Sequence, residues 1–174
     1  DPETFHIMRK SQFSPWPEEL IDSYRADLAR AEEAGRNLLT EKYAWMMAST
    51  APEEFQAIRR FLQPPSFLGG QQIEEITAIQ VEWMREYRSR YPQLASGNRV
   101  LETSQDTPFE TSFETYLRGE LHTYSGQTLS LYRDFVKRLE QEGKNLTLLI
   151  MEETVRAYGY RDLEDAEEKL KKRN

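Results

Sequence analysis

Ten residues carry most of the side chains with which this sequence could do chemistry: Glu82, Trp83, Arg99, Gln105, Asp106, Glu114, Tyr116, Arg118, Glu120 and His122. Mixed polar and aromatic groups of this kind suit a pocket with an apolar body and a few converging polar contacts. Within the group, His122 follows Glu120 by two residues and lies close to Glu114 and Tyr124, a set that could move a proton. Each member also has a plainer role open to it. Glu114 and Arg118 stand four residues apart, the spacing of a surface ion pair on a helix. Trp83 and Tyr116 equally suit a core, and His122 a helix end. A matching group earlier in the chain comprises Arg9, Gln12, Trp16, Glu41 and Tyr43.

Several chemistries are poorly supplied. Only His6 and His122 could serve a nucleophile as base, and there is no cysteine. Carboxylate-bridged metal centres in helical bundles use Glu-x-x-His pairs on two helices, and only one such spacing, Glu3 to His6, occurs. Gly69-Gly70 lacks the Gly-Lys-Ser/Thr continuation of a phosphate loop. The sequence therefore assigns no metal site and no cofactor. A formal charge of -7 argues against nucleic acid, whose binding needs concentrated cations. Lys171, Lys172 and Arg173 read instead as cations complementing a helix C-terminus. No apolar run reaches the length of a bilayer span. A soluble, cytoplasmic protein is expected, although lack of cysteine suits an exported domain equally well.

Something must position these residues, and the chain offers a duplication. Residues 5–38 and 113–146 align without a gap at an offset of about 108, with about eight identities where composition alone would give about two. The identical pairs are Phe5/Phe113, Tyr24/Tyr132, Arg25/Arg133, Arg30/Arg138, Glu32/Glu140, Gly35/Gly143, Asn37/Asn145 and Leu38/Leu146. Trp16/Tyr124 and Ile21/Leu129 are close matches. In each stretch a glycine ends one helix and an asparagine caps the next, which predicts a helical hairpin.

Apolar residues recur at spacings of three and four almost throughout, so the fold is expected to be all-α, with eight to nine helices and no sheet. Helices are expected over 2–13, 17–34, 38–48, 52–62, 71–91, 108–122, 126–142, 145–158 and 162 onward. The first places Phe5, Met8 and Gln12 on one face. The second buries Leu20, Ile21, Tyr24 and Leu28. Thr107-Pro108-Phe109-Glu110 reads as a capping box that starts the helix bearing Glu114. A single domain results: one repeat over about 1–65, a connecting helix and a loop at 93–107, then a second repeat over about 108–174. The two repeats pack on each other pseudo-symmetrically, and the groove between them is the expected site for a small molecule or a partner protein.

Three segments carry a family resemblance: Asp1-Pro-Glu-Thr-Phe with Met8-Arg9, Ser11-Gln-Phe13 and Trp16; Gly35-Arg-Asn-Leu-Leu-Thr-Glu-Lys-Tyr43; and Thr107-Pro108 with Thr111-Ser-Phe-Glu-Thr-Tyr-Leu-Arg-Gly-Glu-Leu121. Together they resemble a bacterial family known as domain of unknown function 4125. The resemblance implies an upstream helix with a Glu-Trp pair and a Cys-Gln-Asp segment before the residue that is Asp1 here, matching Glu82-Trp83 and Ser104-Gln105-Asp106 in the second repeat. On that basis the chain is expected to lack the first helix of repeat one. A cysteine outside it could then add to proton transfer by the Glu, His and Tyr side chains.

Overall fold

The computed structural model describes residues 1–174 and contains nine α-helices and no sheet. They are α1 (Pro2–Phe13), α2 (Glu18–Glu33), α3 (Leu38–Thr50), α4 (Pro52–Ile58), α5 (Phe67–Arg90), α6 (Phe113–Leu121), α7 (Gly126–Gln141), α8 (Leu146–Ala157) and α9 (Leu163–Arg173). A 3-10 turn at Arg59–Phe61 extends α4, and another at Thr103–Gln105 interrupts the long connection before α6.

Local signals account for the hairpins. Gly35 and Gly143 both take φ +69, a left-handed conformation that costs a glycine little. Arg36 N then donates to the Ala31 carbonyl, and Lys144 N to the Leu139 carbonyl, each over 2.8 Å, closing the same type of C-terminal cap. Asn37 Oδ1 accepts from Thr40 N, and Asn145 Oδ1 from Leu148 N. Helices α2 and α7 have 16 residues each, and both begin and end about 108 positions apart.

Helix α1 packs on α8, α3 on α6 and α2 on α7, while α5 lies along α6, α7 and α8. The main core holds Trp16 and Leu20 from the first hairpin, Ile73, Ile76 and Trp83 from α5, and Leu129, Tyr132, Val136 and Leu146 from the second hairpin. A smaller core joins Tyr87 and Tyr91 to Val155, Leu163 and Ala166. No helix is long and apolar enough to cross a membrane.

Two helix starts differ from expectation. Residues 107–110 form a closed turn, not a helical one: Thr107 N donates to the Glu110 carbonyl and Glu110 N to the Thr107 carbonyl. A helix begun at Pro108 would gain no burial, because Phe109 is 98% exposed, and an unpacked first turn does not sustain itself in water. Fully buried Ser112 caps α6 instead, accepting from Thr115 N. Helix α5 starts before Gln71 because Ser66 Oγ accepts from Gly69 N. A Cβ on Gly69 would lie 3.7 Å from Leu129 Cδ2, so the helix runs through both glycines while pressed on α7. The irregular connection consequently spans 91–112. Leu28 also departs from expectation: it is 41% exposed, since no helix covers that side of α2. Phe5 and Met8 are exposed as well.

Helices α3 and α6 cross closely at Gly119. A Cβ on Gly119 would fall 2.8 Å from Met46 Cγ and 2.9 Å from the Lys42 carbonyl oxygen, and the second of these belongs to the backbone. Gly119→Ala gains about 1 kcal/mol of helix propensity. The forced separation outweighs that gain, and a net loss of about 1–3 kcal/mol is expected from urea unfolding. Gly126→Ala, where nothing lies within 4 Å, is the matched control. Equal midpoints for the two variants would show that α3 gives way freely.

Candidate functional site

Helix α6 projects its side chains in three directions, and this separates residues that are close in sequence. Glu114, Arg118 and His122 recur at four-residue spacing and share one side. Arg118 Nε and Nη2 donate to the two Glu74 oxygens at 2.9 and 3.1 Å, Nη2 also to Glu114 at 2.7 Å, and Nη1 to Thr103 Oγ1 at 3.0 Å. Glu114 additionally accepts from Thr103 N. This guanidinium ties α5, the 3-10 turn and α6 together.

His122 ends the row. Its ring stacks on Trp45 of α3, with centroids 4.2 Å apart and planes inclined by 23°. Nδ1 lies 2.7 Å from the Arg118 carbonyl oxygen, which can only accept, so Nδ1 carries the proton and Nε2 is left as an acceptor. Burial holds the imidazole pKa below its usual value, keeping it neutral. Between α3, α4 and α6 opens a cavity of about 280 Å³ lined by Trp45, Ala48, Ser49, Phe55, Thr115, Arg118, Gly119 and His122.

Asp106 braces two of the lining residues, Ser49 and Thr115. Its carboxylate accepts from Ser49 Oγ at 2.6 Å, from Ser112 N at 2.6 Å and from Thr115 Oγ1. Although desolvation is the largest single influence and pushes its pKa up, the hydrogen bonds from Ser49, Thr115 and Ser112 together bring it below the ordinary value.

Other members of the ten-residue group lie elsewhere. Tyr116 is sandwiched by cations: Lys42 Nζ donates to its hydroxyl at 2.8 Å, and the Arg99 guanidinium sits 4.5 Å from its ring centre. Gln105 caps the 3-10 turn by accepting from Glu102 N. Trp83 belongs to the core, and Glu82 is exposed, 3.3 Å from Arg85.

Glu120 points away from His122 toward the first hairpin. Burial raises its pKa, and the charges of Lys42 and Arg9 only partly offset this. Its charge in turn raises the pKa of Tyr24, Tyr124 and Tyr132, in each case after the larger effect of burial. Glu114, Glu120 and His122 thus face different neighbours and do not form one constellation. No three His, Asp or Glu side chains gather into a metal-holding group.

A larger cavity, about 360 Å³, lies between the α2–α3 turn, the Pro64-Pro65 segment and the start of α7. Its arginines are already engaged: Arg30 pairs with Asp27 at 2.5 Å, and Arg36 holds Glu41 through two bonds.

Trp45, Phe55 and Ser49 were outside the expected group. Trp45 and Ser49 stand four residues apart on α3, a spacing that places them on one side. Nothing local says that this side meets α6.

Comparison with curated proteins and with solved structures yields no match. One family profile, described as "Protein of unknown function (DUF4125)", matches residues 1–168, and the chain belongs to that family.

Proposed function

We propose that this protein is a helical ligand-binding domain built from two copies of one three-helix unit related by an approximate twofold, with a small molecule held where α3 of one copy crosses α6 of the other. The pairing of helices supports the twofold. Exchanging α1, α2 and α3 with α6, α7 and α8 turns the α1–α8 packing into that of α6 on α3 and leaves α2 on α7 unchanged. The matched glycine and asparagine geometry of the two hairpins supports it too.

The observation that carries the ligand reading is the 280 Å³ cavity between the copies, in which Arg118 and His122 meet Trp45 and Phe55. Its aromatic walls suit a small, flat, partly apolar molecule. Ser49, Thr115 and the unprotonated His122 nitrogen supply hydrogen-bonding groups, and neutral imidazole favours a donor on the ligand.

Thermal denaturation against a metabolite library tests this. A compound at about 100 times its Kd adds about 2.7 kcal/mol of stability. That gain is expected to vanish in Trp45→Ala and in His122→Leu, each measured against its own unliganded melt. A library that leaves every melting curve unmoved sinks the ligand reading.

Proton transfer is a second reading, favoured by one observation: Glu120 has a raised pKa and no hydrogen bond among its causes. A cysteine outside this chain would be an added participant. Glu120→Gln separates the readings, since ligand-induced stabilisation survives it and turnover does not.

A further inference from the structure

Helix α5 is held to the second copy by residues that the first copy also possesses. Arg133 donates to both Glu75 oxygens, at 3.1 and 3.2 Å, and Arg118 to both Glu74 oxygens. Gln80 Nε2 donates to the Tyr132 hydroxyl at 2.6 Å. Asn145 Nδ2 donates to the Trp83 carbonyl at 3.1 Å and to Glu86 at 2.9 Å. Between these ties, Leu129 and Val136 are buried in the core that contains Ile73, Ile76 and Trp83.

At the offset of the duplication these positions are Arg25, Lys10, Tyr24, Asn37, Ile21 and Leu28. Three of the residues that grip α5 recur as the same type, one recurs as another cation, and both apolar positions remain apolar. Their surroundings differ. Val136 is 0% exposed where Leu28 is 41% exposed. Arg25, Lys10 and Asn37 are exposed, whereas Asn145 is buried. Asn37 uses only its oxygen, to cap α3. Arg133 and Arg118 have carboxylate partners, while Arg25 and Lys10 make no ion pair. No helix lies along α1, α2 and α3 as α5 lies along α6, α7 and α8.

We infer that the face carrying exposed Lys10, Arg25, Leu28 and Asn37, with half-buried Ile21 and Tyr24 packed on the core beneath them, is a docking surface for an amphipathic partner helix with the pattern of α5. The partner presents apolar or amide side chains at the spacing of Ile73, Ile76, Gln80 and Trp83, one side of a helix over three turns. Two adjacent glutamates, placed as Glu74 and Glu75 are, meet Lys10 and Arg25. Charge complementarity selects this occupant over a purely apolar one, because a greasy ligand leaves both cations unanswered.

The inference rests on the two-copy reading, and its test is separate. A fluorescein-labelled peptide of residues 67–91 is titrated with the full-length chain and followed by anisotropy. Saturable binding is expected, weakened at least about tenfold by Leu28→Glu and by Arg25→Glu, a loss of about 1.4 kcal/mol. Both substitutions fall on exposed residues, and unchanged far-ultraviolet spectra check that the fold is kept. A peptide carrying Glu75→Arg is expected to recover most of its affinity for the Arg25→Glu protein. Arg133→Glu leaves peptide binding unaltered, excluding displacement of α5 itself.

Absence of binding, or binding indifferent to Leu28→Glu, overturns the proposal. So does sedimentation showing a dimer that Leu28→Glu dissolves, which assigns the face to a second copy. Superposing α1–α3 on α6–α8 in a crystal structure tests the two-copy reading by itself, so a failed peptide titration leaves that relation standing.

Discussion

Trp16→Ala is expected to cost about 3–5 kcal/mol, the range for deleting a buried large aromatic side chain. Trp16 is 6% exposed and sits in the turn between α1 and α2, where Pro15 and Pro17 restrict the backbone on either side. Its ring centre lies 4.9 Å from Phe13 and 5.7 Å from Tyr24 within the first hairpin, and 5.3 Å from Tyr132 and 6.4 Å from Tyr124 across the interface. No single helix can fill the space it leaves, because the five rings come from the α1–α2 and α6–α7 regions alike. Against a total of about 5–15 kcal/mol for a domain, the loss is a large fraction. Urea midpoints provide the measurement, with Trp16→Phe keeping most of the stability.

Tyrosine titration gives an independent readout of the same cluster. Burial, as the largest cause, raises the pKa of Tyr24, Tyr124 and Tyr132 above 10.0. Their contribution to stability is therefore fully present below pH 10 and is lost as pH rises through the higher folded values. In Trp16→Ala, water reaches these hydroxyls and their ionisation moves back toward the ordinary range. A Trp16→Ala protein with an unchanged midpoint and an unchanged alkaline titration would rule out this account of the core.

How legible such features are depends on how local their causes are. The α2–α3 and α7–α8 hairpins are visible in Gly35-Arg36-Asn37 and Gly143-Lys144-Asn145 because a glycine stop and an asparagine cap act within one turn. The start of α6 is not visible in this way. Thr107 and Ser112 are both acceptable caps by type, and the choice falls to Ser112 because Asp106 binds its N–H while Phe109 finds nothing to pack on. Ser66 likewise wins over Gly69-Gly70 only through the packing of α5 on α7.

The site follows the same division. Arg118 and His122 stand out by type and spacing, and both line the inter-helix cavity. Glu114 and Asp106 stand out too, yet their lone pairs are spent on Thr103, Arg118, Ser49, Ser112 and Thr115, so they position the walls. Trp45 and Phe55 complete the cavity from the other half of the chain, through a crossing set by the missing side chain of Gly119. Leu28 shows the reverse error: its helical periodicity says buried, but periodicity identifies a face without saying what covers it.

Asp106→Ala is expected to destabilise the protein by about 3 kcal/mol, since one half-buried carboxylate satisfies three donors, one from α3 and two from the start of α6, and hydrogen bonds to charged groups are worth about 1.5–3 kcal/mol each, not additively. Ser49 belongs to α3, Ser112 caps α6 and Thr115 lies in its first turn, so the loss loosens α3 from α6 and frees the end of the 91–112 connection. Asp106→Asn keeps an acceptor, and the Ser49 and Thr115 hydroxyls can rotate to accept from its amide; about 1 kcal/mol is expected. The pH dependence fixes the sign. With its folded pKa below the usual value, Asp106 contributes stability that is present above the unfolded pKa of about 3.9 and is lost as pH falls through the folded value. Glu114, lowered by Thr103 N and Arg118 against the larger upward effect of desolvation, acts in the same direction. The gap in urea midpoint between the unaltered protein and Asp106→Asn should accordingly be widest near neutrality and narrow toward pH 3. A gap that stays constant over that range would mean that the Asp106 charge takes no part in holding α3, the connection and α6 together.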